Sequence, residues 1–419
     1  MNWYKMMTDR KNYDRINNLV TSRTSFKKGK DIGVPIVKLP SLFTVPKSEK
    51  ENLFIAKLQQ CSKIFDFIDP RENIQERNLK AEVLMELDNF ITDPGIEFSL
   101  EVYREIIEMV SNNIFRIIYI KRDYNPELEM IESVSEASWP HLQLVYAFFL
   151  KFLKSNYINI NLMAHVMNES FVSKLIDTFN SEDCRERGQL QQILHQIYLR
   201  FIHLREFIRN KINEVFLTVI HESEYFNGIA ELLRVVVSII KGLSIPLKKE
   251  HKEFAERTLF PLVKTKYFSN YYAYWTNCVF ELMDKDSSLK EKVVITLLKY
   301  WPKTSIPKEL IFLDITEELM KYMNYRDSPK VQERLFRQIA NCIVSYHCHI
   351  ALRALNLCRT QYIAELIERN PQTFMAILIP YLNKASKDHW NETVVAMALE
   401  LLHIFGTIDA KLFRQLTKP

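Results

Sequence analysis

The chain has 419 residues, of which 47% are hydrophobic and only seven are glycine, and its formal net charge is +5. This apolar content is enough for a large core, and the mild charge allows a nucleic-acid surface without indicating one. Glycine supplies tight hairpin turns and phosphate-binding loops, so its scarcity disfavours β-sandwiches, barrels and Rossmann sheets and predicts a chain that is nearly all helix.

Residues 1–38 differ from the rest, because they are basic and polar and show little apolar periodicity. We interpret them as a flexible N-terminal tail. The segment has no apolar core of the kind that a secretory signal needs, and the whole sequence has no run of about 18 uncharged apolar residues. We therefore predict an ordered domain over 39–419 and no membrane span.

The six cysteines are far apart and include no Cys-x-x-Cys pair. Such cysteines are typical of buried thiols in a reducing compartment. The prediction is an intracellular protein, located in the cytoplasm, with the nucleus as the second option.

From Ser48 onward, apolar residues recur with the period of an α-helix. One stripe comprises Leu142, Val145, Tyr146, Phe149, Leu150 and Leu153, and a second comprises Ile229, Leu232, Leu233, Val236, Ile240 and Leu243. Polar breaks separate helices of roughly 12–20 residues, which pair into units near 40 residues, the period of HEAT-type repeats. The predicted fold is an all-α, HEAT-like helical-repeat solenoid of about eight pseudo-repeats. A globular multi-helix enzyme is the alternative.

The sequence contains none of the common catalytic and nucleotide-binding motifs: it has no Walker loop, GxGxxG, GxSxG or HExxH. The best metal-like group is Cys342, His347, Cys348 and His349. Adjacent helical positions diverge by about 100°, so three consecutive residues do not face one ion, and core packing is the better interpretation. We predict no enzyme activity, no metal and no cofactor.

One region concentrates polar groups that suit peptide binding. His195 and Tyr198 are three residues apart, and Arg205 and Arg209 are four apart. Farther along come the aliphatic pair Val235 and Ile239 and the cations Lys248 and His251. In a solenoid, equivalent helices lie side by side, so these groups could converge on a peptide with two aliphatic anchors and a carboxylate. A solvated basic helix face is the alternative.

Several longer segments resemble one known family. They include WPHLQLVY at 139–146, FNSEDCRERGQL at 179–190, FNGIAELL at 226–233, IPLKKEHKEF at 245–254, LLKYWPKT at 297–304, LFRQIANCI at 335–343 and KDHWNETV at 387–394. In this order they resemble the B-prime family of protein phosphatase 2A regulatory subunits, over nearly all of 39–419.

The resemblance implies a non-catalytic targeting subunit of a serine/threonine phosphatase, with a scaffold subunit and a catalytic subunit as its partners. It also implies a groove for a Leu-x-x-Ile-x-Glu motif in substrates. Val235 and Ile239 would line the aliphatic pocket beside His195 and Tyr198. The cations Arg205, Arg209, Lys248 and His251 would receive the motif's glutamate and backbone carbonyls.

Two groove positions depart from the family pattern. Gln196 stands where the family usually has an arginine that meets a phosphate or acidic residue in the motif, and Arg234 stands where a glutamate is usual. Compared with the family pattern, a positive charge is therefore missing at position 196 and present at position 234. The resemblance further implies an acidic loop that approaches the catalytic subunit, carrying Glu127, Glu129, Glu132 and Glu136; a solvated acidic linker is the equal alternative.

A different function class stays open on the sequence alone, namely a free-standing helical-repeat adaptor without a phosphatase. A HEAT-like nucleic-acid glycosylase would need a strongly basic concave face and a catalytic aspartate. The charge of +5 and the missing catalytic constellation count against it, so we predict no nucleic-acid partner.

Overall fold

A computed structural model describes residues 24–25, 36–65, 67, 69, 71–91, 98–118, 136–222, 225–322 and 329–417. These residues form two compact units. The N-terminal unit comprises residues 1–215 and 226–235, and the C-terminal unit comprises residues 216–225 and 236–419. Most of the predicted tail, residues 1–38, lies outside the described residues, and its boundary stays a prediction.

The part of the chain that the structure describes is built from nineteen α-helices, and the predicted all-α class is confirmed. The first nine are α1 Lys47–Cys61, α2 Ile74–Phe90, α3 Leu100–Ile114, α4 Trp139–Lys154, α5 Ile160–Ala164, α6 Glu169–Thr178, α7 Cys184–Arg200, α8 Arg205–His221 and α9 Ile229–Lys241.

The remaining ten are α10 Lys249–Phe254, α11 Tyr272–Lys285, α12 Leu289–Lys299, α13 Ile306–Tyr322, α14 Pro329–Ile343, α15 Cys348–Cys358, α16 Gln361–Arg369, α17 Pro371–Asp388, α18 Glu392–Ile408 and α19 Ala410–Thr417. A π-turn over Ala255–Leu259 and 3₁₀ turns over Ile202–Leu204, Phe260–Lys264 and Phe268–Asn270 connect some of them. Two short strands, β1 Thr24–Ser25 and β2 Ile117–Ile118, pair antiparallel.

Within each unit, helices pack against helices two or three positions along the chain, as in a helical-repeat solenoid. In the N-terminal unit, α4 packs on α2 and α7. In the C-terminal unit, α14 packs on α12 and α17, and α15 packs on α18. The predicted stripe of α4 forms part of this core, since Val145 and Phe149 are completely buried and Leu153 is nearly so.

Hydrogen bonds between equivalent turns show the repeat length directly. In the N-terminal unit, Arg200 donates from Nη1 to the Leu153 carbonyl at 2.5 Å, 47 residues away. In the C-terminal unit, Lys285 donates to the Leu243 carbonyl, 42 residues away, and Trp390 donates to the Tyr346 carbonyl, 44 residues away. Arg200 and Lys285 thus donate to carbonyls at or just beyond the ends of α4 and α9, which those helices leave open.

The Asn-Gly pair of the N-terminal unit illustrates how closely such turns approach. Asn227 donates from its backbone N–H to Asn180 Oδ1 at 2.9 Å and from Nδ2 to the Asn180 carbonyl at 2.9 Å. A Cβ on Gly228 would lie 2.5 Å from the Phe179 carbonyl oxygen. Only glycine therefore fits here, so this Asn-Gly pair serves helix packing rather than a hairpin turn.

A buried ionic network joins α3, α4 and α7 in the N-terminal unit. Arg116, just after α3, donates to both carboxylate oxygens of Glu186 at 2.6 and 2.5 Å, and Tyr146 Oη donates to Glu186 Oε1 at 2.7 Å. Burial, and next the charge of Glu186, raises the pKa of Tyr146 well above its ordinary value. The network connects the WPHLQLVY and FNSEDCRERGQL segments, which lie far apart in the sequence.

His141, the third residue of WPHLQLVY, occupies a buried site between two phenylalanines. Its Nε2 lies 3.0 Å from the Arg77 carbonyl, which accepts its proton, and its ring centroid lies 4.9 Å from that of Phe67 and 5.8 Å from that of Phe65. Burial, together with the nearby charge of Lys80, lowers the pKa of His141 to about 4. The imidazole is therefore neutral at neutral pH.

The folded protein is expected to lose stability on acidification because of His141. Its pKa of about 4 lies below the unfolded value of about 6.5, so the unfolded chain binds more protons across this window. Between pH 6.5 and pH 4 the free energy of unfolding should fall by about 3 kcal/mol from this group. Urea unfolding at several pH values should show a weaker pH dependence in His141→Gln, whose amide can still donate to Arg77. The exposed His165→Gln is the control, and equal slopes in the two variants would contradict the assignment.

Candidate functional site

The predicted groove residues of α7 lie along the flank of a buried helix stripe. Helix α7 is capped by Asp183, whose Oδ1 accepts the Arg185 N–H at 2.9 Å. Its core-facing residues are Leu190, Ile193, Leu194 and Ile197. This stripe leaves His195, Gln196 and Tyr198 half-buried beside it. Partial burial lowers the pKa of His195, so its imidazole is neutral at neutral pH and can donate from one nitrogen and accept at the other.

Two arginines of α8 hold Tyr198. Arg205 donates from Nε to the Tyr198 carbonyl at 2.9 Å and from Nη2 to the Leu199 carbonyl at 3.0 Å. The Arg205 guanidinium lies 5.4 Å from the centroid of the Tyr198 ring. Arg209 donates from Nη1 to Tyr198 Oη at 3.3 Å. The structure thus brings Tyr198, Arg205 and Arg209 together in the N-terminal unit, and we call these three residues the tyrosine clamp.

The sequence spacing between Arg205 and Arg209 did not predict that Arg205 also closes the end of α7. Two of its nitrogens satisfy carbonyls at the C-terminal end of α7, a position where a cation also meets the negative end of the helix dipole. Leu199 and Ile202 were missed as well, although 48% and 73% of their surfaces are exposed next to the clamp. Leu199 lies off the buried stripe of α7, and Ile202 begins the 3₁₀ turn that follows this helix, so an apolar residue outside the stripe is the signal that would have found them.

Helix α9 carries the predicted aliphatic pair. Val235 and Ile239 are one turn apart on the same helix face, and they are 0% and 7% exposed. The two side chains are therefore almost completely covered, and only Ile239 offers a small accessible surface. Arg234 lies at an exposed position of the same helix.

The two remaining cations belong to the start of α10 in the C-terminal unit. Lys248 is exposed and occupies the N-cap position of α10 with extended backbone angles. The His251 side chain is 14% exposed, and its Nε2 lies 3.5 Å from Glu250 Oε1. Ile239 belongs to this unit too, whereas the other seven predicted groove residues belong to the N-terminal unit.

Of the predicted acidic loop, Glu127, Glu129 and Glu132 lie outside the described residues. Glu136 is described, and its side chain is only 9% exposed. Its Oε2 accepts from Arg116 Nη2 at 3.3 Å, its Oε1 accepts from Ser138 Oγ at 3.0 Å, and its backbone N–H donates to Asp183 Oδ2 at 3.1 Å. Glu136 therefore extends the buried ionic network of the N-terminal unit.

Cys342, the first residue of the metal-like group, is hydrogen-bonded within the protein. Cys342 Sγ donates to Glu309 Oε1 at 3.5 Å, and the Trp301 indole N–H donates to the same oxygen at 3.0 Å. Burial raises the pKa of the Cys342 thiol, which stays protonated. The rings of His347 and His349 lie 5.4 Å apart. In the ranges that the structure describes, no group of three or more His, Cys, Asp or Glu side chains could hold a metal ion.

None of the described helices combines the length and apolar character that a membrane span requires.

Comparison with known proteins finds relatives that are named as regulatory subunits of phosphatase 2A. The 56 kDa regulatory subunit delta isoform of serine/threonine-protein phosphatase 2A from Oryctolagus cuniculus is 41% identical over 404 residues, covering 95% of this chain and 68% of the relative. The alpha isoform from Mus musculus is 41% identical over 382 residues, covering 90% and 78%. The phosphatase 2A regulatory subunit pptr-1 from Caenorhabditis elegans is 40% identical over 403 residues, covering 96% and 73%.

A solved structure of an engineered protein aligns over 87% of both chains, but with a TM-score of 0.28 and 11% identity, which is too low to support an argument about fold or function. The family comparison is decisive. The family model described as protein phosphatase 2A regulatory B subunit (B56 family) matches residues 39–419, and this confirms the resemblance found in the sequence. The chain therefore belongs to the B56 family of protein phosphatase 2A regulatory B subunits and is a regulatory, non-catalytic protein.

Proposed function

We propose that this chain works within a phosphatase 2A assembly, bound to a scaffold subunit and a catalytic subunit, and that it selects substrates through a Leu-x-x-Ile-x-Glu motif. The observation that carries the motif proposal is the tyrosine clamp. An aromatic ring held by two guanidinium groups offers an apolar face and charge-assisted donors side by side. This combination suits a peptide that presents an aliphatic anchor and a carboxylate. The intracellular location stays a prediction.

The two arginines of the tyrosine clamp have different roles. Arg205 uses Nε and Nη2 on backbone carbonyls, so it orients Tyr198 and retains Nη1 for a ligand. Arg209 donates only from Nη1 to the Tyr198 hydroxyl, at a rather long 3.3 Å. Compared with Arg205, it is therefore better placed to bind the motif's glutamate. Ile239, Lys248 and His251 belong to the C-terminal unit, and their part in peptide binding stays a prediction from the family resemblance.

The assembly is tested by purifying the tagged chain from its source cells. We expect a phosphatase catalytic chain and a scaffold chain to co-purify at near-stoichiometric yield. The purified chain alone should hydrolyse no phosphopeptide, because it is a regulatory subunit. Recovery of the chain with partners but with neither phosphatase component would favour the free-standing adaptor instead.

The peptide site is tested by fluorescence anisotropy with a labelled Leu-x-x-Ile-x-Glu peptide at fixed salt. Charge-assisted hydrogen bonds contribute about 1.5–3 kcal/mol each, so Arg209→Ala should weaken binding roughly 10-fold to 100-fold. His251→Ala should weaken it in the same direction. Lys211→Ala, which removes a cation two residues along the same helix, is the matched control and should change little. A peptide with glutamine in place of the motif's glutamate should bind weakly to all variants.

Equal affinity of wild type and Arg209→Ala would refute the clamp as the peptide site. Melting temperatures of all variants should be compared as well, since Arg205→Ala would also open the end of α7. Arg205→Lys keeps the positive charge but loses the forked donors. If it restores the binding that Arg205→Ala loses, the charge of Arg205 is what binding needs; if it does not, the positioning of Tyr198 is.

Gln196 generates a further prediction about phosphorylated motifs. A phosphoserine next to the motif's leucine should improve binding less in the wild type than in Gln196→Arg, because arginine offers a charged planar fork and glutamine only a neutral amide. Gln192→Arg, which adds the same charge at an exposed position one turn earlier in α7, is the control. The enhancement by phosphate is measured as the ratio of the two dissociation constants. An equal ratio in wild type and Gln196→Arg would show that another cation already serves this role.

A further inference from the structure

Two segments of the C-terminal unit carry cations without any acidic residue. Residues 257–280 contain Arg257, Lys264 and Lys266 but no Asp or Glu. Residues 292–308 contain Lys292, Lys299, Lys303 and Lys308 and again no Asp or Glu. The local charge is therefore much higher than the net charge of +5 over 419 residues would suggest.

The structure places the two segments side by side. Lys308, in the first turn of α13, donates from Nζ to the carbonyls of Thr265 at 2.8 Å and Lys264 at 3.3 Å. The Phe312 ring of α13 lies 5.9 Å from the ring of Phe268. The loop before α11 and the loop between α12 and α13 thus meet at one end of their repeats.

Four lysines are exposed on these two loops or at the helix end that enters them, and we call them the lysine ridge: Lys264, Lys266, Lys299 and Lys303. In the described part of the chain, none of them forms an ion pair. Lys266 lies 5.6 Å from the ring centroid of Tyr267, and Lys299 lies 5.1 Å from that of Tyr300. The ridge therefore has positive charge that no carboxylate of the described residues neutralises.

One acidic residue, Glu309 in the first turn of α13, is at the ridge end, where its Oε1 accepts from the Trp301 indole and from Cys342 Sγ. Other acidic residues of the same repeats are at the opposite helix end. Glu281 pairs with Lys241 at 3.2 Å, and Asp286 pairs with Lys252 at 2.6 Å. Helix α11 starts beside the ridge and has 14 residues, so its far end is about 20 Å away along the axis. At that distance water and salt screen these carboxylates from the ridge lysines.

We propose that the lysine ridge is a second docking site, which binds an acidic, extended segment of a partner protein. Lysine ammonium groups are point charges on flexible stems, so they accept carboxylates at variable spacing. One face of Tyr267 and one face of Tyr300 each lie under a lysine ammonium group, which leaves these faces poorly placed to stack on nucleic-acid bases. Ile306, the first residue of α13, is 38% exposed, and this single exposed aliphatic side chain next to the ridge is not an apolar face for a bilayer.

The test uses the full chain and a labelled peptide of six glutamates alternating with serines, at low fixed salt. The ridge variant carries Lys264→Gln, Lys266→Gln, Lys299→Gln and Lys303→Gln, all at exposed positions, so folding should be preserved. The control variant carries Lys330→Gln, Lys384→Gln, Lys387→Gln and Lys411→Gln, which removes the same charge from other exposed positions of the same unit. The ridge variant should bind the peptide about tenfold more weakly, and the control variant less than about twofold.

Equal losses in both variants would overturn the proposal, because they would show a response to total charge rather than to the ridge. Failure of the wild type to bind the glutamate peptide would also overturn it. Anionic lipid vesicles and a single-stranded oligonucleotide are tested in parallel. Ridge-dependent binding of either one that exceeds binding of the glutamate peptide would assign the ridge to another class of partner. The result does not depend on the tyrosine clamp, since none of its residues is changed.

Discussion

The structure depends on the closing of helix ends by neighbouring repeats. Each helix leaves its last carbonyls without partners inside the helix, and at several ends a cationic side chain from the adjacent repeat supplies a donor. Arg200 does so for the end of α4 in the N-terminal unit, and Lys285 and Lys308 do so in the C-terminal unit. Because one repeat completes the next, most of the stabilising interactions are between neighbours, as expected for a solenoid.

The candidate binding site uses the same device for a second purpose. Arg205 closes the end of α7, and in doing so it places its guanidinium over the ring of Tyr198. A side chain fixed by two backbone carbonyls loses little further conformational freedom when a ligand arrives. The end of α7 is thus a rigid support for Tyr198, and the tyrosine clamp is rigid because the fold fixes this helix end.

The buried ionic network shows how segments that are distant in the sequence become one contact. Glu186 at the start of α7 receives Arg116 and Tyr146, and Asp183 receives the Glu136 N–H. Although burial opposes it, hydrogen bonds from Arg185 and from the Glu136 N–H lower the pKa of Asp183, so this carboxylate stays charged. A buried ion pair whose partner is removed leaves an uncompensated charge, and such losses typically cost about 3–5 kcal/mol. This explains why charged residues stand in the middle of otherwise apolar packing.

The sequence by itself determined the helical class and the repeat length near 40 residues, because apolar stripes such as Val145, Phe149 and Leu153 are local patterns. The resemblance of segments such as WPHLQLVY at 139–146 indicated the family. The sequence also named Tyr198, Arg205 and Arg209 among ten predicted groove residues. Only the tertiary structure decided that Arg205 closes α7, that Glu136 is buried beside Arg116, and that Lys264 and Lys303 belong to adjacent loops. The physical reason is distance along the chain: contacts between repeats join residues 42–47 positions apart, and no local spacing encodes them.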